Sequence, residues 1–345
     1  MRIYLLAFAA AGFLAVGAID LRVGGSAWAA DAANTLRYGI DDERNINRLP
    51  QVIAEREGFF AREGLKVELI PFRSAFRTRS AGQAPAVGAT TVREGMAQGS
   101  IDMARQQLPL LINDVMAGGK FVGVAVTASN PVYFLVARPE IKSFADLKGR
   151  TVTITNPHDG ITIWTRKLLA LHGLKNDNVQ LKNIAGSEGR VGCLKSGECA
   201  GATLDQPAIF EGLDAGGHAL GLTNEIAPQL YQVDIVNPNW AAAHRDLVAK
   251  YIRATNAAMA FIRDPKNREE VVKVTTAFTK QPENHSRQML GYIWDPKNRV
   301  FQGATPNMNA VAAAISLLGE YDVLKQPLPA PERFVDPTYA KAAGL

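Results

Sequence analysis

Cysteine is scarce in this chain: Cys193 and Cys199 are the only two. A disulfide scaffold or cysteine-rich metal cluster is therefore excluded. The pair sits in VGCLKSGECAG, which is not a C-x-x-C redox motif, and no nearby histidine completes a zinc set. Histidine is scarce too, and His158, His172, His218, His244 and His285 are dispersed. No G-x-S-x-G elbow, H-E-x-x-H pair, P-loop or strand-linked G-x-G-x-x-G occurs. Hydrolase, zinc-protease and nucleotide-binding readings thus lose their local signals. Beyond the first 29 residues no apolar run is long enough to span a membrane. There is no internal repeat and no heptad pattern. Charge of one sign is also missing as a block: Lys and Arg number 38 against 33 Asp and Glu, a formal net charge of +5. These charges alternate, as in Asp41-Asp42-Glu43-Arg44 and Arg62-Glu63, so no basic stripe offers itself to nucleic acid.

What is present starts with a leader. Arg2 supplies a positive start, Ile3 to Ile19 is nearly all apolar, and Ala27-Trp28-Ala29 is a small-x-small cleavage site. Residues 1–29 read as a signal peptide, with an uncleaved anchor as the alternative; Asp20 and Arg22 break the apolar run early. No cysteine follows the leader closely enough to carry a lipid anchor. Export implies an oxidising compartment, where a close cysteine pair reads as a local disulfide, the alternative being two buried thiols.

At 345 residues the chain exceeds one typical domain, which suggests two lobes or one large one. Leu36, Tyr38 and Ile40 alternate as in a half-buried strand. Pro50 opens a helix with Val52, Ile53, Phe59 and Phe60 on its apolar face, punctuated by Gly58 and Gly64. Val67, Leu69 and Ile70 start a second strand. Strand, helix, strand predicts a parallel pair with ligands beyond the carboxyl ends, near 41–48 and 72–76. A polar loop over 73–90, a helix at 92–98, a strand at 101–104, a helix at 108–117 and a strand at 121–127 follow. Residues 132–137 look like a crossing into a second lobe, with strands at 151–155, 179–184, 199–204 and 219–222. A loop at 185–190 is expected between two of them. Val233–Val236 reads as the crossing back, before helices at 244–262, 268–277 and 309–324.

The phrase Ala54, Gly58, Phe59, Phe60, Glu63, Gly64, Leu65, Val67 resembles the "A-x-x-x-G-F-F-x-x-E-G-L-x-V" of ABC-importer solute-binding proteins of the nitrate, taurine and aliphatic-sulfonate type. Ser100-Ile-Asp-Met-Ala104 and Phe144-Ala-Asp-Leu-Lys-Gly149 continue the likeness. The resemblance implies an α/β, bilobal, type II-like periplasmic binding protein whose two α/β lobes are joined by two crossing strands. It assigns 30–130 plus 236–345 to one lobe and 131–235 to the other. It also implies a monomer in the periplasm with no cofactor, no metal and no catalysis, handing a small molecule to inner-membrane permease subunits. A sensory protein for a membrane receptor is the alternative. The same superfamily includes yeast thiamine-pyrimidine synthases, whose cysteine-rich iron motif this chain lacks.

Candidate ligand residues are polar groups on strand ends and helix starts. In the first lobe they are Asn45, Asn47, Arg73, Ser74, Gln106 and Gln107. In the second they are Asn156, His158, Gly160, Thr162, Ser187, Arg190 and Asp205. Arginine suits carboxylate or sulfonate, and helix N-termini favour anions, which points to a small organic anion; a neutral vitamin precursor is the alternative. Each has a plainer reading. Asp159 before Gly160 suits an ordinary helix cap, and an arginine is commonly a solvated surface group. Trp164 reads as core and Trp240 as a possible cleft wall.

Overall fold

The alternation of Leu36, Tyr38 and Ile40, all buried, makes β1 (Thr35–Ile40) a strand with one face in the core. The computed structural model describes residues 34–40, 44–72, 91–130, 132–156, 159–184, 186–226 and 230–345. After a 3-10 turn at Ile46–Arg48, Pro50 sits in the first turn of α1 (Leu49–Arg56), where its missing N–H costs nothing. Gly58, at φ 69°, turns the chain into α2 (Phe59–Arg62), and β2 (Lys66–Pro71) then pairs parallel with β1. α3 (Val92–Ala97), β3 (Met103–Gln107), α4 (Leu108–Met116) and β4 (Val122–Ala128) complete the first pass.

The second lobe is built from β5 (Phe134–Ala137), β6 (Thr151–Ile154), α5 (Gly160–Leu171), β7 (Gln180–Asn183), α6 (Ser187–Lys195), β8 (Gly201–Leu204), α7 (Ala208–Asp214) and β9 (His218–Leu222). Its five strands run in the order β7-β6-β8-β5-β9. The chain returns through β10 (Gln232–Val236), which inserts antiparallel between β3 and β4 and gives the first sheet the order β2-β1-β3-β10-β4. The stretch read as the crossing back, Val233–Val236, is part of this strand, buried along its length. The helices α8 (Pro238–Ala243), α9 (Arg245–Arg263), α10 (Arg268–Thr279), α11 (Glu283–Trp294), α12 (Met308–Glu320) and α13 (Thr338–Ala342) follow.

The result is a bilobal α/β fold. Its two crossings bond to each other and to the lobes: Tyr231 N donates to Ser129 O at 2.8 Å, and Thr223 N to Tyr133 O at 3.0 Å. Thr35 to Leu345 forms one compact unit. Cys193 in α6 and Cys199 ahead of β8 form a disulfide, with Cα atoms 5.3 Å apart. Among the described residues no helix is long and apolar enough to cross a membrane, and no cluster of three or more metal-ligating side chains occurs.

Three expectations change. Residues 187–190 are helical, because α6 begins at Ser187. The residues around His285, given no element from the sequence, are helical: His285 lies on α11, its ring stacked 4.1 Å from Phe210 of α7. Trp240 follows the carboxyl end of β10, where Val236 faces Met103 at the start of β3. It therefore lies at the end of the sheet opposite Gln107 and packs on His244 at 4.6 Å instead of lining a cleft.

Candidate ligand site between the lobes

The carboxyl ends of β1 and β3 and the amino end of β10 meet at one edge of the first sheet. Two tyrosines lead from this edge to the second lobe. Tyr231, just before β10, and Tyr133, just before β5, share a hydrogen bond between their hydroxyls at 2.7 Å. The Trp164 indole lies edge-on to Tyr231 at 5.2 Å and 6.1 Å from Tyr133. All three are almost fully buried. Burial pushes the Tyr133 phenol well up; Tyr231 and the charge of Asp205 add to this and Arg190 opposes it, so Tyr133 belongs electrostatically to the second-lobe cluster.

On the first-lobe side, Asn45 uses its side chain to cap the 3-10 turn. Its Oδ1 accepts from Asn47 N and from Asn47 Nδ2, each at 2.9 Å, and from Arg105 Nη1 at 3.4 Å. Gln106 and Gln107 end β3, but they point to opposite faces, as neighbours in a strand must. Gln106 donates to Asp114 Oδ2 at 2.7 Å on the α4 side. Gln107 is the register partner of Gln232, and Arg105 of Asp234, so these four share one face. Asp234 is buried and accepts from Tyr38 Oη at 2.6 Å; desolvation raises its pKa to about 6 against bonds from Tyr38, Thr127 and Tyr251 and the charge of Arg105. Gln51 Nε2 closes the group on Tyr251 Oη at 3.0 Å.

On the second-lobe side Asp159 is a helix cap: its Oδ1 accepts from Thr162 N at 2.9 Å and its Oδ2 from the Thr155 hydroxyl. Burial raises its pKa despite these bonds. The Thr162 hydroxyl is engaged as well, accepting from Thr155 N at 3.1 Å. Gly160 is covered by its own helix, since a Cβ there would stand 2.6 Å from Trp164 Cη2. The Asp159 cap thus takes the Thr162 N–H of the first turn of α5, and Asn156 ahead of it is exposed. Arg190, only 2% exposed, is drawn inward: Nε donates to Thr203 O at 2.9 Å and Nη2 to Ser187 Oγ at 2.8 Å. Ser187 in turn donates to Asp205 Oδ1 at 2.7 Å. A buried guanidinium needs partners for its donors, and the Thr203 carbonyl of β8 and the Ser187 hydroxyl supply two of them. Arg190 thus holds Ser187, and through it Asp205, in place. Arg73, Ser74 and His158 lie outside the described residues.

Sequence reasoning missed Tyr133, Tyr231, Arg105, Gln232 and Asp234. The one available signal was polarity inside apolar strand runs: QVDIV and MARQQ each place polar residues among buried neighbours. A cavity of ≈ 250 Å³ borders this cluster through Trp164 and lies between α4, α5, α12 and the return crossing, lined also by Pro109, Ile163, Leu230 and Leu317. None of the residues picked from the sequence lines it.

The NMT1/THI5-like family model matches residues 45–268, from the Asn45 turn through both sheets. The chain belongs to the NMT1/THI5-like family. No curated protein matches it in sequence. Among solved structures, the periplasmic nitrate-binding protein NrtA from Synechocystis PCC 6803 is similar at TM-score 0.71 and 15% identity, over 90% of this chain and 88% of that one. The alkanesulfonate-binding protein SsuA from Xanthomonas axonopodis pv. citri, bound to MOPS, gives 0.67 and 15%, over 88% and 98%. The desulfurization enzyme DSZB gives 0.64 and 16%, over 90% and 98%. At such identities the likeness establishes the shared fold, which in this NMT1/THI5-like chain carries the two-lobe arrangement described above.

Proposed function

We propose that this protein is the periplasmic substrate-binding component of an ABC-type importer. It captures a small organic molecule between its lobes and passes it to permease subunits by opening and closing about the two crossings. The observation that supports this reading is that polar groups gather at the strand ends next to the crossings, Gln107 and Gln232 in the first sheet and Ser187 and Asp205 in the second, while the Tyr133 and Tyr231 hydroxyls of the two crossings bond each other. Ligands in α/β sheets of this kind gather at strand ends, and this is where the buried polar groups concentrate.

The family and most of its structural neighbours support binding over catalysis; the desulfurization enzyme among them makes turnover the reading to test against. An organic anion such as a sulfonate or carboxylate is the ligand class that Arg73 and the Gly160 helix start suggested. The capped α5 terminus and the engaged Arg190 weaken that support, and Arg105 beside Asn45 is the cation best placed to keep it.

The test is a thermal-shift screen with sulfonates, carboxylates, nitrate and neutral heterocycles, followed by recovery of the ligand. A ligand at a hundred times its dissociation constant adds about 2.7 kcal/mol, a shift of several degrees. The expected result is one class that raises Tm and is recovered unchanged. Recovery of a chemically altered ligand would overturn the binding-protein reading.

A further inference from the structure

The cavity of ≈ 250 Å³ bordered by Trp164 has walls from both lobes: Pro109 of α4 and Leu317 of α12 from the first, Ile163 and Trp164 of α5 from the second. Its apolar lining includes its most buried residues, with Ile163, Leu230 and Leu318 at most 2% exposed. The polar residues that line it lie nearer the surface. Ser316 and Glu320 stand one turn apart on α12, both exposed, and Lys167 reaches Glu320 from α5, with Nζ 2.7 Å from Oε1. The cavity therefore has an apolar floor and a polar rim.

Size and chemistry together select an occupant. Apolar walls give water few hydrogen bonds, and an apolar cavity of about 150 Å³ is enough to bind benzene. This one has room for a ring with a small substituent. At the rim Lys167 and Glu320 neutralise each other. A charged group brought there gives up hydration and finds no uncommitted counter-ion. A hydroxyl suits the pair better, since it can donate to the Glu320 carboxylate and accept from the Lys167 ammonium.

We propose that this cavity is a second binding site, which takes a small neutral aromatic molecule of the phenol class. The ring lies among Trp164, Ile163 and Leu317, and the hydroxyl meets Lys167 and Glu320. The site does not depend on the importer reading, because Gln107, Gln232, Ser187 and Asp205 do not line it. An occupant touches both lobes and so favours the arrangement that brings them together.

The experiment soaks crystals of the protein with para-bromophenol and, separately, with para-bromobenzoate, and places the bromine by its anomalous scattering. Calorimetric titration with para-bromophenol is run on the wild type and on Ala313→Leu and Ala314→Leu, two residues that line the cavity on α12. The expected result is a phenol bromine inside the cavity and no benzoate bromine there. Both variants should bind para-bromophenol about tenfold more weakly or worse, because the added side chain takes up the space. Their ligand-free Tm should be unchanged or higher, as cavity filling gives. A bromine found only elsewhere, no binding by the wild type, or equal occupancy by the benzoate overturns the inference. So does undiminished binding by both variants. The bromine position in the wild type decides the matter even if a variant melts lower, because it needs no substitution.

Discussion

Lys167 of α5 in the second lobe closes a two-pronged ion pair on Glu320 at the end of α12 in the first, with Nζ 2.7 Å from Oε1 and 2.9 Å from Oε2. Beside it the Arg166 guanidinium lies 4.7 Å over the Tyr321 ring. One turn earlier Ile163, 1% exposed, is packed in the same cluster as Leu108, Val311 and Ile315 of the first lobe. The same face of α5 thus carries an apolar plug and two cationic contacts onto the opposite lobe. The ion pair is half-exposed, so screening holds it to about 1 kcal/mol or less, and the cation–π contact adds about as much. Their joint removal in a Glu320→Ala/Tyr321→Ala variant should favour the open arrangement. Small-angle scattering of the ligand-free protein should show a larger radius of gyration, and ligand affinity should fall by about three- to tenfold. Unchanged scattering and affinity would show that these contacts do not bear on closure.

The Tyr38–Asp234 bond leads to a pH prediction. Asp234 has its pKa raised from 3.8 to about 6 by burial. A carboxyl that binds its proton more tightly in the folded state contributes stability below about pH 4, and that contribution is lost as pH rises to about 6. The shift of about two units corresponds to roughly 3 kcal/mol, as an order of magnitude. The groups facing it are Tyr38, Tyr251, Thr127 and Arg105. An Asp234→Asn variant removes this dependence. The difference in Tm, wild type minus variant, should fall between pH 4 and 6 and then level off. Parallel melting curves across that window would refute the assignment.

Much of the first lobe was legible because its signals are local. Alternation in β1, Pro50 at a helix start, and glycines at turns all act within a few residues. What was not legible is long-range. β10 is five residues that pair antiparallel with strands more than a hundred positions away, and a short apolar run does not announce its partners. α11 was missed because its outward face is polar and its anchors are distant in sequence, such as Ile262, whose carbonyl accepts from Trp294 Nε1 at 2.7 Å, and Phe134, whose ring lies 4.7 Å from Tyr292. The site divides the same way. Gln107 was visible as a polar strand end, whereas its partner Gln232 was hidden in a run read as a crossing. The inward bond of Arg190 was not legible because sequence does not show that the carbonyl of Thr203 lies within its reach.

The Cys193–Cys199 disulfide ties the last turn of α6 to the approach to β8, both cysteines being buried. The closed loop is short, so the chain-entropy gain is about 2 kcal/mol. A Cys193→Ala/Cys199→Ala variant should melt several degrees lower than the oxidised wild type. The reduced wild type should fall between the two or match the variant. Ligand capture should survive, because the helix bearing Arg190 is also held by the bonds of Arg190 to Thr203 O and Ser187 Oγ. Equal melting of oxidised and reduced protein would show that the bridge adds nothing.

Gly160 and Trp164 offer the sharpest steric test of the interlobe aromatic cluster. A methyl at residue 160 would stand 2.6 Å from Cη2 and 2.9 Å from Cζ2 and Cζ3 of the indole, well inside van der Waals contact. The backbone of Gly160 is helical, so alanine is favoured there by propensity and the penalty comes from the ring alone. Overpacking of this kind costs about 1–3 kcal/mol. The indole packs on Tyr231 and Tyr133, whose hydroxyls are bonded to each other, so a shift of the ring disturbs that contact. Gly160→Ala should therefore lower Tm by several degrees, shift tryptophan fluorescence and weaken ligand capture. Gly192→Ala is the control: it lies on α6, and a methyl there meets nothing within 4 Å. If both variants behave alike, Trp164 does not set the shape of the interface between the lobes.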